Sequence, residues 1–98
     1  MEKVGKEEFI KQLQSALNTK AIDLSLANLD TILDTIISKI EENVVEGKSV
    51  EFEGFGKFML RQRSTRTDHD INTGKEITIK AHDDPAFEAG KIFKDMVK

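Results

Sequence analysis

The chain has 98 residues, which fits one domain and leaves a single hydrophobic core thin unless two subunits share it. Its 38% hydrophobic and 34% charged residues are typical of a folded, soluble domain, and no apolar run approaches the ~20 residues of a membrane span. Cysteine is absent, which excludes disulfides and thiolate metal sites. The N-terminal segment is charged and resembles no secretory signal, so we expect a cytoplasmic protein.

The charge of the chain is unevenly distributed. The net charge is −3, which by itself argues against a nucleic-acid partner because phosphate binding needs a local excess of lysine and arginine. Residues 57–80, however, hold six basic against three acidic side chains, a local charge of +3 that leaves −6 for the rest. All three arginines of the chain lie in this segment. The sequence therefore predicts a basic appendage on an acidic body.

Two amphipathic helices are predicted in the N-terminal half. Apolar residues recur at helical spacing over 9–17, and again over about five turns within 26–44. Asp23 or Ser25 is a suitable N-cap for the second helix, and Gly47 ends it. The apolar stripe of the second helix is too wide for one short helix to bury, so we expect a partner surface to cover it.

Strand patterns follow the helices. Residues 50–63 alternate between apolar and polar, interrupted by two glycines that fit either a tight hairpin turn or a bulge. Residues 64–74 are polar apart from Ile71 and end in a turn sequence, after which 76–80 alternates as a returning strand. Because nothing in the polar segment could bury it, we expect a two-stranded ribbon that projects into solvent and stays mobile until it binds something.

The C-terminal segment has a second helical signal. Pro85 is predicted to begin a short helix, with Phe87, Ile92, Phe93 and Met96 as its apolar residues. The order of elements is then helix, helix, three strands, helix, which indicates an α+β domain.

Three sequence motifs resemble one known family. Residues 54–58 (GFGKF) resemble the glycine–aromatic signature of the HU/IHF (integration host factor) family of bacterial histone-like DNA-binding proteins. Residues 73–79 (TGKEITI) are similar to the strand that returns from the arm of that family. Residues 85–95 (PAFEAGKIFKD) are similar to its C-terminal helix. The spacings between the motifs also agree, and the resemblance covers essentially the whole chain.

The resemblance implies one HU/IHF-like domain over residues 1–98 that forms an intertwined dimer. Residues 1–47 would be the helical dimerisation part, 48–82 the β-saddle and DNA-binding arm, and 83–98 the C-terminal helix. The implied fold is α+β, with two N-terminal helices, a three-stranded antiparallel sheet with an extended β-ribbon arm, and a short C-terminal helix. The implied partner is double-stranded DNA, which two arms grip in the minor groove and bend. The dimer is expected to be a homodimer, or a heterodimer with a paralogue.

The resemblance also assigns residues to roles. The shared aromatic core of the dimer corresponds to Phe55, Phe58 and Phe87. Positions where the family tends to present DNA contacts are occupied by Arg61, Arg63, Arg66, Lys75, Lys80, Lys91 and Lys94, and its arm tip corresponds to the segment that contains His69, Ile71 and Asn72.

The arm tip departs from the family pattern, which usually reads Arg-Asn-Pro-Gln-Thr-Gly. Ile71 stands in place of the proline that inserts between base steps, and a bulky apolar side chain suits the same wedge role. The alternative for Ile71 is a tolerated surface residue, or one that folds back on its own arm. Asp68 and Asp70 place negative charge beside the phosphates, and we expect them to weaken binding.

Other chemistry finds little support in the sequence. His69 and His82 lie close to aspartates, but a metal site needs three or four convergent ligands, so we expect surface histidines and neither metal nor cofactor. No nucleophile–base arrangement is present, and we expect no enzyme.

The sequence therefore predicts a nucleoid-associated architectural protein that bends or compacts double-stranded DNA with little sequence dependence. The alternative is an HU-like module for protein interaction or heterodimerisation with weak or lost DNA binding, and the sequence pI of about 5.4 motivates it.

Overall fold

The structure, a computed structural model, describes residues 2–98, and for residues 66 and 79 the backbone alone. It divides into two compact units, one ending at Lys39 and the other covering Ile40–Lys98. The described residues form three helices and five strands. The helices are α1 (Lys6–Asn18), α2 (Leu26–Val45) and α3 (Lys91–Met96), and the strands are β1 (Val50–Phe52), β2 (Gly56–Arg63), β3 (Arg66–His69), β4 (Glu76–Ile79) and β5 (His82–Ala89). No helix within residues 2–98 is long and apolar enough to cross a membrane.

Both N-terminal helices are confirmed, and their ends are fixed by local hydrogen bonds. The hydroxyl oxygen of Ser25 accepts a hydrogen bond from the Asn28 N–H at 3.0 Å, so Ser25 rather than Asp23 caps α2. At the other end Gly47 has a φ of +84°, and its N–H donates to the Val44 carbonyl at 2.9 Å. The Lys48 N–H donates to the Asn43 carbonyl at 3.0 Å. This pair of bonds is a Schellman motif. The motif requires a residue with positive φ at the position that Gly47 occupies.

Polar contacts tie α1 to the first part of α2. The ammonium of Lys6 lies 2.6 Å from an Asp34 carboxylate oxygen and 3.0 Å from one of Asp30. These hydrogen bonds, the one to Asp34 first, raise the pKa of Lys6 above its ordinary value. The side-chain amide of Gln14 donates to the Leu24 carbonyl at 3.0 Å, which holds the loop between the helices.

The sheet of the second unit is three-stranded and antiparallel, in the order β1-β2-β5. The glycines of 54–56 form a hairpin turn rather than a bulge, since the Phe55 N–H donates to the Phe52 carbonyl at 3.0 Å. Gly56 is buried with a φ of +155°, and a Cβ on it would lie 2.5 Å from the ring of Phe87. Only glycine fits at this position, because β2 passes directly beneath an aromatic ring.

A separate two-stranded ribbon is formed by β3 and β4, which pair antiparallel from Arg66 opposite Ile79 to His69 opposite Glu76. The sheet ladder ends where Arg63 faces His82, so the two ladders are interrupted at the same level, at 64–65 on one strand and 80–81 on the other. The bond that crosses this level runs from the Ala81 N–H to the hydroxyl oxygen of Thr65, at 3.1 Å. The predicted sheet with an extended ribbon is confirmed.

The predicted start of the C-terminal helix is wrong, and so is its span of 83–98. Residues 82–89 form β5, the third strand of the sheet, and the helix begins only at Lys91 after an extended Gly90. A proline favours the first turn of a helix, but it is equally tolerated in an edge strand, where a missing N–H costs little. Because β2 is the central strand, β5 lies at the edge, and Pro85 faces Leu60 there.

Four phenylalanines form the aromatic cluster of the second unit. Phe58 and Phe87 lie 4.7 Å apart between ring centroids, and Phe55 lies 5.1 Å from Phe87. Phe93 on α3 stacks on Phe55 at 5.4 Å, which the sequence interpretation did not predict. These distances are those of favourable aromatic pairs, and they fix the turn, the sheet and α3 together. Phe55 nevertheless remains 45% exposed and Phe87 38% exposed.

Candidate nucleic-acid interface

The base of the ribbon carries the first group of predicted contacts. Arg61 and Arg63 both lie on β2, and their even spacing places both side chains on one face of the sheet. Arg61 faces Asp84 across the ladder. The Nε of Arg63 donates to Asp84 Oδ2 at 3.2 Å, so this arginine is already paired with a carboxylate in the free protein.

The same carboxylate contacts a histidine. Nε2 of His82 lies 3.2 Å from Asp84 Oδ1, and Nδ1 of His82 lies 2.9 Å from the Lys80 carbonyl oxygen. These residues border an open pocket of about 500 Å³ lined by Arg63, Ser64, Thr65, His82 and Asp84. The sequence interpretation missed this group, because only the pairing of β2 with β5 brings Arg63 and Asp84, 21 residues apart in the chain, together.

The ribbon positions the second group. The backbone of Arg66 begins β3, and Lys75 and Lys80 directly precede and follow β4. His69 ends β3 opposite Glu76, next to Asp68. Basic positions therefore alternate with acidic ones along the ribbon, which lowers its charge density relative to a purely basic arm.

The tip of the ribbon is a tight loop with an apolar residue at its start. The Asp70 N–H donates to the Lys75 carbonyl at 2.8 Å, and the Gly74 N–H donates back to the Asp70 carbonyl at 2.7 Å. Oδ1 of Asp70 accepts from the Asn72 N–H at 2.9 Å, so this aspartate shapes the turn. Ile71 does not fold back on the ribbon, because its side chain is 99% exposed.

The last two predicted residues lie on a different element. Lys91 and Lys94 are three positions apart on α3, so they lie on the same side of that helix and form a second basic group. Both are exposed. The ten predicted DNA contacts thus lie in three places: on β2 at the base of the ribbon, along the ribbon with its tip, and on α3.

The two histidines do not come together, since His69 lies in the ribbon and His82 in the sheet. Within residues 2–98, no three histidine, aspartate or glutamate side chains are placed so that they could hold a metal ion.

Comparison with known proteins decides the family. A family model described as bacterial DNA-binding protein matches residues 4–98. The chain belongs to this family.

Members of the bacterial DNA-binding protein family that resemble the chain include several HU proteins. DNA-binding protein HU-alpha of Aeromonas hydrophila is 45% identical over 87 residues, which cover 89% of this chain and 96% of that protein. DNA-binding protein HU-beta of Escherichia coli strain K12 is 45% identical over 75 residues, 76% of this chain and 83% of that one. The resemblance to the HU/IHF family is therefore confirmed.

Solved structures agree with this assignment to the bacterial DNA-binding protein family. The HU chain in an Anabaena HU–DNA cocrystal structure superposes with a TM-score of 0.77 at 33% identity, over 90% of this chain and 95% of that one. An HU variant from Thermotoga maritima superposes with a TM-score of 0.67, over 96% of this chain and 99% of that one. Its sequence identity is 24%, so this comparison shows the fold alone. The alternative of a protein-interaction module without DNA binding is not favoured.

Proposed function

We propose that this architectural DNA-binding protein works as a dimer whose two ribbons enter the minor groove of double-stranded DNA and bend it, with little direct readout of bases. The observation that carries the proposal is the exposed β3–β4 ribbon. Arg61 and Arg63 on β2 lie at its base, and the fully exposed Ile71 lies at its tip. Arginine suits this role because its guanidinium binds phosphates and also enters a narrow minor groove.

Phosphate contacts supply the affinity in this proposal. Arg61, Arg63 and Arg66 line the arm, and Lys75 and Lys80 contact the backbone from the returning strand. Further along the bent duplex, Lys91 and Lys94 extend the basic surface. Each neutralised phosphate releases condensed counterions, so binding weakens steeply as salt rises, whatever the base sequence.

The wedge at the tip is Ile71, between the turn-forming Asp70 and Asn72. An isoleucine has the bulk to separate two base steps and no polar atom that insertion would leave unsatisfied. Since the turn around it is held by four hydrogen bonds, little further ordering is needed when the tip enters the groove.

A second copy of the chain is the proposed partner of the exposed apolar surface. Along α2, Ile36 is 49% and Ile37 45% exposed, and the aromatic cluster is only half-buried. Among the described residues, the buried apolar side chains are Ile10, Leu29 and Val44, a small core for 98 residues. In a homodimer, or in a heterodimer with a paralogue, the two chains would bury these exposed apolar side chains in a shared core that includes Phe55, Phe58 and Phe87.

The test is a fluorescence-anisotropy titration of intact and nicked duplexes at several salt concentrations. We expect tighter binding to the nicked duplex and a linear fall of log affinity with log salt. Arg61→Glu should weaken binding to every sequence and flatten the salt slope by about two units, one for each arm of the dimer. Lys20→Glu, which makes the same charge change outside the ribbon, is the matched control and should have a much smaller effect. No binding at low salt would refute the proposal.

The proposal places the protein on the nucleoid, where it compacts DNA, and gives it no catalytic step. If low-salt binding fails while the chain still forms mixed dimers with an HU protein, the protein-interaction alternative is the correct one.

A further inference from the structure

The pocket at the base of the ribbon holds one carboxylate between two side chains that bind anions. Oδ2 of Asp84 accepts from Arg63 and Oδ1 lies against Nε2 of His82, each at 3.2 Å. Each oxygen therefore has a different partner. Because a phosphodiester also presents two oxygens on one atom, the carboxylate has the shape and charge of a small phosphate substitute.

The remaining wall of the pocket adds hydroxyl groups. Ser64 and Thr65 line it beside the two basic side chains. The hydroxyl oxygen of Thr65 accepts from the Ala81 N–H at 3.1 Å, which leaves its own proton available for an anion. Without the carboxylate, the pocket would present a guanidinium, an imidazole and hydroxyl donors, which is the chemistry of a phosphate site.

His82 is oriented toward the pocket by the backbone. Its Nδ1 lies 2.9 Å from the Lys80 carbonyl oxygen, an acceptor that calls for a proton on this nitrogen. The opposite nitrogen, Nε2, consequently points to Asp84. Nε2 is therefore the ring nitrogen that a bound phosphate would meet in place of Asp84.

The position of the pocket connects it to the arm. It lies at the level where the sheet ladder ends and the ribbon begins, between Arg63 and His82. In the proposed function, a duplex held by the ribbon would run past this level. The side chains are accessible there, since Asp84 is 41%, His82 47% and Arg63 54% exposed.

We propose that Asp84 occupies a phosphodiester site formed by Arg63, His82 and the Thr65 hydroxyl, and that a backbone phosphate of DNA displaces its carboxylate when the duplex binds. This inference rests on the proposed function. It adds His82 to the DNA contacts and makes Asp84 a built-in competitor that lowers affinity. Since the carboxylate is half-exposed and tethered only through its side chain, it can rotate into solvent without disturbing β5.

The experiment compares Asp84→Asn with Asp83→Asn. Both variants remove one negative charge from adjacent positions on β5, but consecutive strand side chains point to opposite faces, so only Asp84 reaches the pocket. In low-salt anisotropy titrations with the nicked duplex, we expect Asp84→Asn to bind about fivefold more tightly than Asp83→Asn. In an Arg63→Gln, His82→Gln background the difference should disappear, because the carboxylate then has nothing to mask.

A measurement without DNA separates this inference from the proposed function. The ¹⁵N resonances of Arg63 Nε and the His82 ring should shift in Asp84→Asn and stay in place in Asp83→Asn. Inorganic phosphate should shift the same resonances in Asp84→Asn at millimolar concentration. In the wild type, DNA should shift them, and millimolar phosphate alone should not.

Equal affinity of Asp84→Asn and Asp83→Asn would mean that only net charge matters, and would overturn the inference while leaving the proposed function intact. So would a response of Arg63 and His82 to free phosphate but not to DNA. If the wild type fails to bind DNA at all, both proposals are overturned. If Asp84→Asn does not fold, His82→Gln is tested instead. We expect this variant to bind DNA about threefold more weakly than the wild type, with an unchanged melting temperature. Unchanged affinity would remove His82 from the site.

Discussion

Truncation of the ribbon tip gives the sharpest test of the wedge. Ile71 is 99% exposed in the free protein, so Ile71→Ala should change the free energy of unfolding by less than about 0.5 kcal/mol. If the side chain is buried between base steps, the variant loses the burial of three carbon atoms. At about 0.8 kcal/mol per carbon, this weakens binding by about 2.4 kcal/mol, or roughly sixtyfold, for each arm.

The assay pairs anisotropy with a fluorescence-transfer measurement of the distance between the two ends of a labelled duplex. Ile71→Ala should weaken binding and lengthen the end-to-end distance, which reports a smaller bend. Ile71→Leu is the matched control, because it keeps the apolar volume and should preserve both affinity and bend. An unbent duplex with wild-type protein, or equal bends with the alanine and leucine variants, would refute insertion.

Three further predictions concern the scaffold and the charge of the tip. Gly56→Ala should lower the free energy of unfolding, measured by urea denaturation, by about 3 kcal/mol or more, because a Cβ would meet Phe87 at 2.5 Å and the φ of +155° is strained for alanine. Gly74 has a φ of +71° and open space around it, so Gly74→Ala is the control and should lower the free energy of unfolding by only about 1 kcal/mol. The pKa of Lys6 is raised in the folded state, so its ion pairs stabilise the fold fully below the unfolded pKa and lose their effect as pH rises through the folded pKa. The difference in melting temperature between the wild type and Lys6→Met should therefore be constant at neutral pH and shrink only above about pH 10.4. Asp70→Asn keeps the oxygen that shapes the turn and removes the charge, so it should tighten low-salt DNA binding, whereas Asp70→Ala should reduce the measured bend; equal effects of both would contradict a turn-forming role.

Local chemistry explains what the sequence could predict. Ser25 and Gly47 end α2 through bonds that involve near neighbours along the chain, so residue type identified Gly47 and narrowed the N-cap to Asp23 or Ser25. At 54–56 the glycines predicted a hairpin turn or a bulge without deciding between them, and the turn ending at Gly74 was predicted, but the contact of Asp70 with Asn72 was not.

Tertiary pairing explains what the sequence could not. Pro85 is compatible with a helix start and with an edge strand, and only the partner strand β2 decides between them. The contact of Arg63 with Asp84 depends on the register of that pairing, which no local pattern encodes. The positions proposed to bind DNA could be predicted because they follow the family motifs, whereas the contact of one of them, Arg63, with Asp84 depends on strand pairing.

The interruption between sheet and ribbon has a mechanical consequence. Both strands pause over two residues at the same level, and the bond that crosses there ends on a side chain, Thr65, rather than on a ladder partner. We therefore expect the chain to bend more easily at this level than within either ladder. If the ribbon grips DNA as proposed, a joint at this level would let the same side chains hold a nearly straight duplex and a sharply kinked one.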